Sequence, residues 1–119
     1  MCKIRTDIHK NLLYVFLNSS EETNIPEFVT NIEHICYNLV PGFTCILVLP
    51  KDTSSIIKDK NFICNTGNLI YAYGAGKIVS VVDNGNISES SKAVKFDFAA
   101  GIKFENAYSI KEAERILTN

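Results

Sequence analysis

The stretch Phe43-Thr44-Cys45-Ile46-Leu47-Val48-Leu49 is the most strongly apolar run in this chain of 119 residues, and it contains no charged residue. Its length is that of one strand, but it lacks the alternation of apolar and polar residues expected of a strand with one face in water. A strand that is apolar on both faces is typical of a parallel sheet covered by helices on both sides. The run therefore predicts the central strand of an α/β fold.

The segment that follows this strand predicts a helix. A polar stretch, Pro50-Lys51-Asp52-Thr53-Ser54-Ser55, precedes it. Isoleucines then recur every seven residues on one face of a helix over residues 54–73: Ile56, Ile63 and Ile70. Gly74 and Gly76 end this helix, and residues 78–82 predict a second buried strand.

The residues before the central strand predict a hairpin and an amphipathic helix. Residues 4–8 and 12–17 are separated by the polar turn His9-Lys10-Asn11, which is the pattern of two paired strands. Apolar residues then recur every three or four positions over residues 25–39, the stripe of a helix. Asn24 is suited to cap the start of this helix, and Pro41-Gly42 ends it.

The C-terminal part continues the alternation of strands and helices. Residues 88–101 fit either a helix or a strand, since Val94-Lys95-Phe96-Asp97-Phe98 alternates. We favour a helix, because a parallel strand that follows residues 78–82 needs a crossover. Residues 104–108 predict a short strand, and Ser109 with Glu112 forms a capping box that begins the last helix.

The complete order is β-β-α-β-α-β-α-β-α, and it predicts a single α/β domain over residues 1–119. Such an order requires a mostly parallel sheet with right-handed crossovers and a hairpin strand at one edge. A chain of this length buries enough surface to fold without disulfides or a structural metal.

Composition and charge argue against several functional classes. The formal net charge is −1, from 12 basic and 13 acidic residues, so we expect no nucleic-acid partner. No apolar run approaches the roughly 20 residues of a membrane span, and the N-terminus shows no apolar signal region. We therefore expect a soluble, cytoplasmic protein.

The residue types that most often carry catalysis or metal binding show no recognisable motif. The four cysteines include no C-x-x-C pair, so we expect reduced thiols. His9 and His34 fall in a turn and on the polar side of a helix, where surface residues are expected. Gly74-Ala75-Gly76-Lys77 precedes a strand, whereas a phosphate-binding loop precedes a helix. We expect no catalytic site, metal or cofactor, and the chain is not predicted to be an enzyme.

The order of elements and two short motifs resemble the STAS domain superfamily, which includes bacterial anti-sigma-factor antagonists. One motif is the hydroxyl cluster at the start of the helix after the central strand. The other is the closing stretch Ser109-Ile110-Lys111-Glu112-Ala113-Glu114-Arg115-Ile116-Leu117. The resemblance covers nearly the whole chain and implies a STAS-like fold. It also implies a regulatory module that acts by protein–protein contact, with a kinase-like anti-sigma factor as a candidate partner. A homodimer is a further expectation.

Antagonists of that family carry a phosphorylated serine in an Asp-Ser-Ser/Thr-Gly motif at this helix start. The matching residues here are Asp52, Thr53, Ser54 and Ser55. The resemblance thus implies Ser54 as the phosphoacceptor, with Ser55 in place of the glycine. Aspartate, serine and threonine are also good helix caps, because their side-chain oxygens accept hydrogen bonds from unpaired amides. The cluster is therefore either a phosphoacceptor site or only a cap.

Aromatic residues in the second half of the chain support an alternative hypothesis. Five rings either line a pocket for an apolar or lipid-like ligand, or they fill the core or cover a dimer interface. These rings are Phe62, Tyr71, Tyr73, Phe96 and Phe98. The alternative function is a small module of the same fold that binds an apolar ligand.

Overall fold

The computed structural model describes residues 2–50, 53–82, 103–107 and 109–118. These residues form a five-stranded sheet whose strands lie in chain order: β1 (Lys3–Asp7), β2 (Leu12–Phe16), β3 (Thr44–Val48), β4 (Lys77–Val81) and β5 (Lys103–Ala107). β1 is antiparallel to β2, and each later strand runs parallel to the one before it. The sheet is therefore mostly parallel, with a hairpin strand at one edge, as the sequence predicts.

Four α-helices accompany the sheet in the described residues: α1 (Ile25–Cys36), α2 (Thr53–Lys58), α3 (Lys60–Ala72) and α4 (Ile110–Thr118). A 3₁₀ turn, Ser20–Glu22, precedes α1. The α/β class is confirmed. The helix predicted over residues 88–101 lies outside the described residues. No described helix has the length and apolar character needed to cross a membrane.

Two helices begin at the predicted caps. The amide of Glu27 donates to Oδ1 of Asn24 over 3.2 Å at the start of α1. The amide of Glu112 donates to Oγ of Ser109 over 3.0 Å at the start of α4. A cap of this kind contributes about 1 kcal/mol to stability. α1 ends at Cys36, several residues before the predicted end at Pro41-Gly42.

The single helix predicted over residues 54–73 is wrong, because the chain forms two helices there. The break lies at Asp59, whose φ of −98° and ψ of 20° are not helical. Its carboxylate accepts two hydrogen bonds from Ser20, so a tertiary interaction interrupts the helical periodicity. The apolar stripe itself is confirmed, since none of its three isoleucines is more than 1% exposed: Ile56, Ile63 and Ile70.

β3 is buried on both faces, as its unbroken apolar sequence predicts. Cys45 and Leu47 lie in a core shared with α1, α2 and α3, whereas Ile46 lies in a second core that includes residues of α4. All three side chains are completely inaccessible to solvent. Burying one large aliphatic side chain stabilises a fold by about 1.5–3 kcal/mol. The strand thus holds two helical layers against one sheet.

Backbone contacts close the amino edge of the sheet, where β2, β3 and β4 begin. The amide of Gly42 donates to the carbonyl of Gly74 over 2.7 Å, and the amide of Gly76 donates to the carbonyl of Phe43 over 2.7 Å. Gly74 has a φ of +118°, a conformation that suits glycine. The glycines before Lys77 therefore end a helix and join two loops, and they form no phosphate-binding turn.

Asn11 fixes the hairpin to the same edge. Its side chain donates from Nδ2 to the carbonyl of Val40 over 3.0 Å and accepts from the amide of Val40 over 2.9 Å. Its φ of +54° lies in the left-handed region, which asparagine tolerates better than most residues. The pair of bonds imitates a short strand pairing between the hairpin and the loop before β3.

Gly76→Ala should destabilise the fold by about 1–3 kcal/mol, the usual effect of overpacking a close contact. A Cβ at this position would lie 2.9 Å from the carbonyl oxygen of Gly42, so one of the two loops must shift. Urea unfolding measures the change. Asn61→Ala, at an exposed position of α3, is the control and should change stability by less than about 0.5 kcal/mol. Equal stability of the two variants would contradict the prediction.

Candidate functional site

The carboxyl edge of the sheet, where β2, β3 and β4 end, is the candidate site. Hydrogen bonds continue past the strand ends, from the amide of Leu17 to the carbonyl of Val48 and from the amide of Leu49 to the carbonyl of Val81, both over 2.9 Å. The segments that leave β2 and β3 are thereby brought side by side. In open α/β sheets, ligands gather at this edge.

The predicted hydroxyl cluster lies at this edge. The backbone of Thr53, Ser54 and Ser55 forms the start of α2, soon after β3 ends. Asp52 lies outside the described residues. α2 has only six residues, so its dipole is that of less than two turns, and a negative charge gains less from it than from a long helix. The phosphoacceptor and the cap hypotheses both remain predictions.

A buried carboxylate joins the start of α3 to the loop that follows β2. Asp59 is 5% exposed, and its Oδ2 accepts the amide of Ser20 over 3.0 Å while its Oδ1 accepts the hydroxyl of Ser20 over 2.6 Å. Hydrogen bonds to an ionised group are among the stronger ones in proteins. Sequence reasoning missed this pair. The feature of the sequence that indicated a break is the polar stretch Lys58-Asp59-Lys60 inside the helix predicted over residues 54–73.

An ion pair connects the same two segments at the surface. Nζ of Lys58 lies 2.6 Å from a carboxylate oxygen of Glu21, and both side chains are mostly exposed. The hydrogen bond and the charge of Glu21 raise the pKa of Lys58. Water and salt screen an exposed pair of this kind, so its contribution to stability is small.

A groove of about 430 Å³ lies between α1 and α3, beside Ser20. The rings of Phe28 and Phe62 meet in it with centroids 5.8 Å apart and planes inclined by 49°, and Val29 and Leu69 extend its apolar lining. This geometry is typical of a stabilising aromatic pair. The groove therefore has an aromatic base.

The predicted aromatic pocket residues separate in space. Phe62 lines the groove, whereas Tyr71 is 36% exposed and Tyr73 packs on the core, and neither lines the groove. Burial raises the pKa of Tyr73, and the charge of Glu33 adds to that effect. Phe96 and Phe98 lie outside the described residues.

The cysteines and histidines that the structure describes differ in their access to solvent. No group of three or more histidine, cysteine or acidic residues there is placed to hold a metal ion. Burial raises the pKa of Cys36 to about 11 and raises that of Cys45 further, which keeps both thiols protonated at neutral pH. His9 and His34 are exposed.

Comparison with known protein families, with curated proteins and with solved structures finds no match for this chain. A function for this chain must therefore be inferred from the geometry of the carboxyl edge and from the sequence motifs. The backbone of Thr53, Ser54 and Ser55 lies in the first turn of α2, and the groove and the Ser20–Asp59 pair lie beside one another.

A thiol reagent such as DTNB should modify Cys2 first at pH 8. Cys2 is half-buried, whereas Cys36, Cys45 and Cys64 are buried, and only accessible thiolates react quickly. We expect the three buried thiols to react at least about 10-fold more slowly, since they must wait for opening of the fold. Cys2→Ser should lack the fast phase. A buried thiol that reacts as fast as Cys2 would show that the core is open.

Proposed function

We propose that this chain is a non-enzymatic, STAS-like regulatory module that binds a protein partner through the carboxyl edge of its sheet. The observation that carries the proposal is the position of Ser54, in the first turn of a short helix directly after the buried β3. This is the position at which the resemblance to anti-sigma-factor antagonists implies a phosphoacceptor.

Exposed apolar side chains support a contact surface at this edge. Ile57 on α2 is 57% exposed, and Ile25 at the start of α1 is 43% exposed. Single exposed aliphatic residues are common on protein surfaces, but Ile25 directly follows the loop that holds Ser20. Ile57 precedes Lys58, whose ammonium pairs with Glu21 of that loop. A partner that covers Ile57 gains apolar burial within one helical turn of Ser54.

Phosphorylation of Ser54 would act as a switch by adding charge to this surface. The serine oxygen bonds to the γ-phosphorus of ATP, the bond to the bridging oxygen of ADP breaks, and the hydroxyl proton is released. The product carries about two negative charges. An acidic partner would be repelled, and Ile57 would face a charged neighbour. The kinase-like anti-sigma factor that the resemblance implies would be both enzyme and partner.

Incubation with ATP and a candidate kinase-like partner should add one phosphoryl group to Ser54, detected by mass spectrometry. Ser54→Asp should weaken binding of that partner at least about 10-fold, because a like charge at an interface is costly. Ser54→Ala should keep binding and lose the phosphate. Asn61→Asp, exposed on α3, controls for added charge. The switch is excluded by an absence of phosphate on Thr53, Ser54 and Ser55 together with unchanged binding of Ser54→Asp.

The groove between α1 and α3 favours a second candidate function, binding of an apolar or lipid-like ligand. Its volume of about 430 Å³ falls in the range of small-molecule sites. The pair of Phe28 and Phe62 offers an apolar base, and Thr66 already satisfies its hydroxyl by donating to the carbonyl of Phe62 over 2.8 Å. An apolar occupant therefore displaces no hydrogen bond of that hydroxyl.

Val29→Lys should abolish binding of a fluorescent fatty acid, measured by titration of its emission. The introduced charge would lie in the apolar lining, where an unpaired charge is costly. Tyr37→Lys is the matched control, since Tyr37 is 81% exposed and lies outside the groove. Equal binding by both variants, or no binding by the unmodified protein, would rule out this candidate.

A further inference from the structure

α2 is too short to hold its own position. It has six residues, whereas isolated helices below roughly 12–15 residues are marginal in water. Its described core contact is Ile56, which is 1% exposed, while Ile57 is 57% exposed. The position of α2 therefore depends strongly on the links at its ends.

The link at the C-terminal end of α2 is the buried carboxylate of Asp59. This residue directly follows Lys58, the last residue of α2, and accepts both hydrogen-bond donors of Ser20, the amide over 3.0 Å and the hydroxyl over 2.6 Å. Because Asp59 is 5% exposed, loss of these donors would leave a charge with little access to water, which is unfavourable.

The loop that carries Ser20 is itself internally braced. The hydroxyl of Thr23 donates to the carbonyl of Ser19 over 2.8 Å, and the amide of Glu21 donates to the hydroxyl of Ser19 over 3.3 Å. The amide of Leu17 continues the pairing of β2 with β3. Ser20 thus belongs to a platform attached to the sheet, against which α2 is held.

We infer that Ser20 and Asp59 form a latch that positions α2, and that the loop after β2 is therefore a second control point for the carboxyl edge. Any contact or modification that takes Ser20 away from Asp59 releases α2 together with Ile57. Both residues are positioning residues, since they act through α2. The inference rests on the proposed function only in assigning α2 to the contact surface.

The exposed ion pair between Lys58 and Glu21 joins the same segments but does not replace the latch. Solvent screens it, whereas the Asp59 carboxylate is buried. The two interactions therefore predict different results: loss of the ion pair leaves α2 in place, and loss of the latch frees it.

NMR relaxation of the free protein tests the latch without any partner. We expect backbone order parameters near 0.85 for Ile56, Ile57 and Lys58, the value of rigid backbone, and values below about 0.6 in Ser20→Ala and in Asp59→Asn. Ser20→Ala removes the hydroxyl bond and keeps the amide bond, whereas Asp59→Asn replaces one of the two acceptor oxygens with an amino group. Because both substitutions act on the same pair of residues, their effects on mobility should be less than additive in the double variant. Order parameters in β3 and β4 should not change.

Three controls separate the latch from general destabilisation. Ser20→Thr keeps the hydroxyl and should keep α2 rigid. Glu21→Gln removes only the exposed ion pair, and Thr30→Ala removes a hydroxyl bond to the carbonyl of Pro26 on α1; both should leave α2 unchanged. If Asp59→Asn does not fold, the order parameters of Ser20→Ala, which loses only one hydroxyl, decide whether the latch positions α2.

Unchanged order parameters of α2 in Ser20→Ala would overturn the inference, and so would a loss of order spread evenly over β3, β4 and α2. Neither result bears on the proposed function, which is tested separately by phosphorylation and partner binding. Conversely, a mobile α2 in Ser20→Ala would support the latch even if Ser54 accepts no phosphate.

Discussion

The burial of β3 on both faces is the constraint on which the rest of the structure depends. Cys45 and Leu47 need cover on one face of the sheet, and Ile46 needs cover on the other. α1, α2 and α3 supply the first layer, and α4 crosses to supply the second. Because β2, β3 and β4 are parallel, the passages that contain α1 and α3 must return across the sheet. The loops therefore collect at two opposite edges.

That arrangement of strands and helices determines which residues lie at the carboxyl edge. The helix after a buried strand must begin within a few residues of the strand end, so a cluster such as Thr53, Ser54 and Ser55 lies at the edge whether it caps or accepts a phosphoryl group. Pairing of β2 with β3 then brings the loop of Ser20 alongside α2. The two segments meet at Asp59, which lies far from Ser20 in sequence.

The sequence predicts the features that local periodicity determines. The strands, the stripe of α1, the caps at Asn24 and Ser109 and the isoleucine face of α2 and α3 follow from spacing alone. The break at Asp59 could not be predicted in this way, because seven-residue spacing continues through it and the competing hydrogen bonds come from Ser20. The groove could likewise not be predicted from the sequence as one site, since the two rings that meet in it, Phe28 and Phe62, belong to different helices.

The loops at the two edges of the sheet are joined in different ways, and this difference bears on where a regulated surface can lie. The amino edge is held by backbone bonds among Gly42, Phe43, Gly74 and Gly76, to which the Asn11 side chain adds two bonds with Val40. At the carboxyl edge, backbone bonds continue the strand pairing, but the described links between α2 and the loop after β2 are the Ser20–Asp59 pair and the exposed Lys58–Glu21 ion pair. A side-chain link can be opened locally at a cost far below that of global unfolding. If the inferred latch opens, we therefore expect movement of α2 to be less costly than movement of the loops at the amino edge.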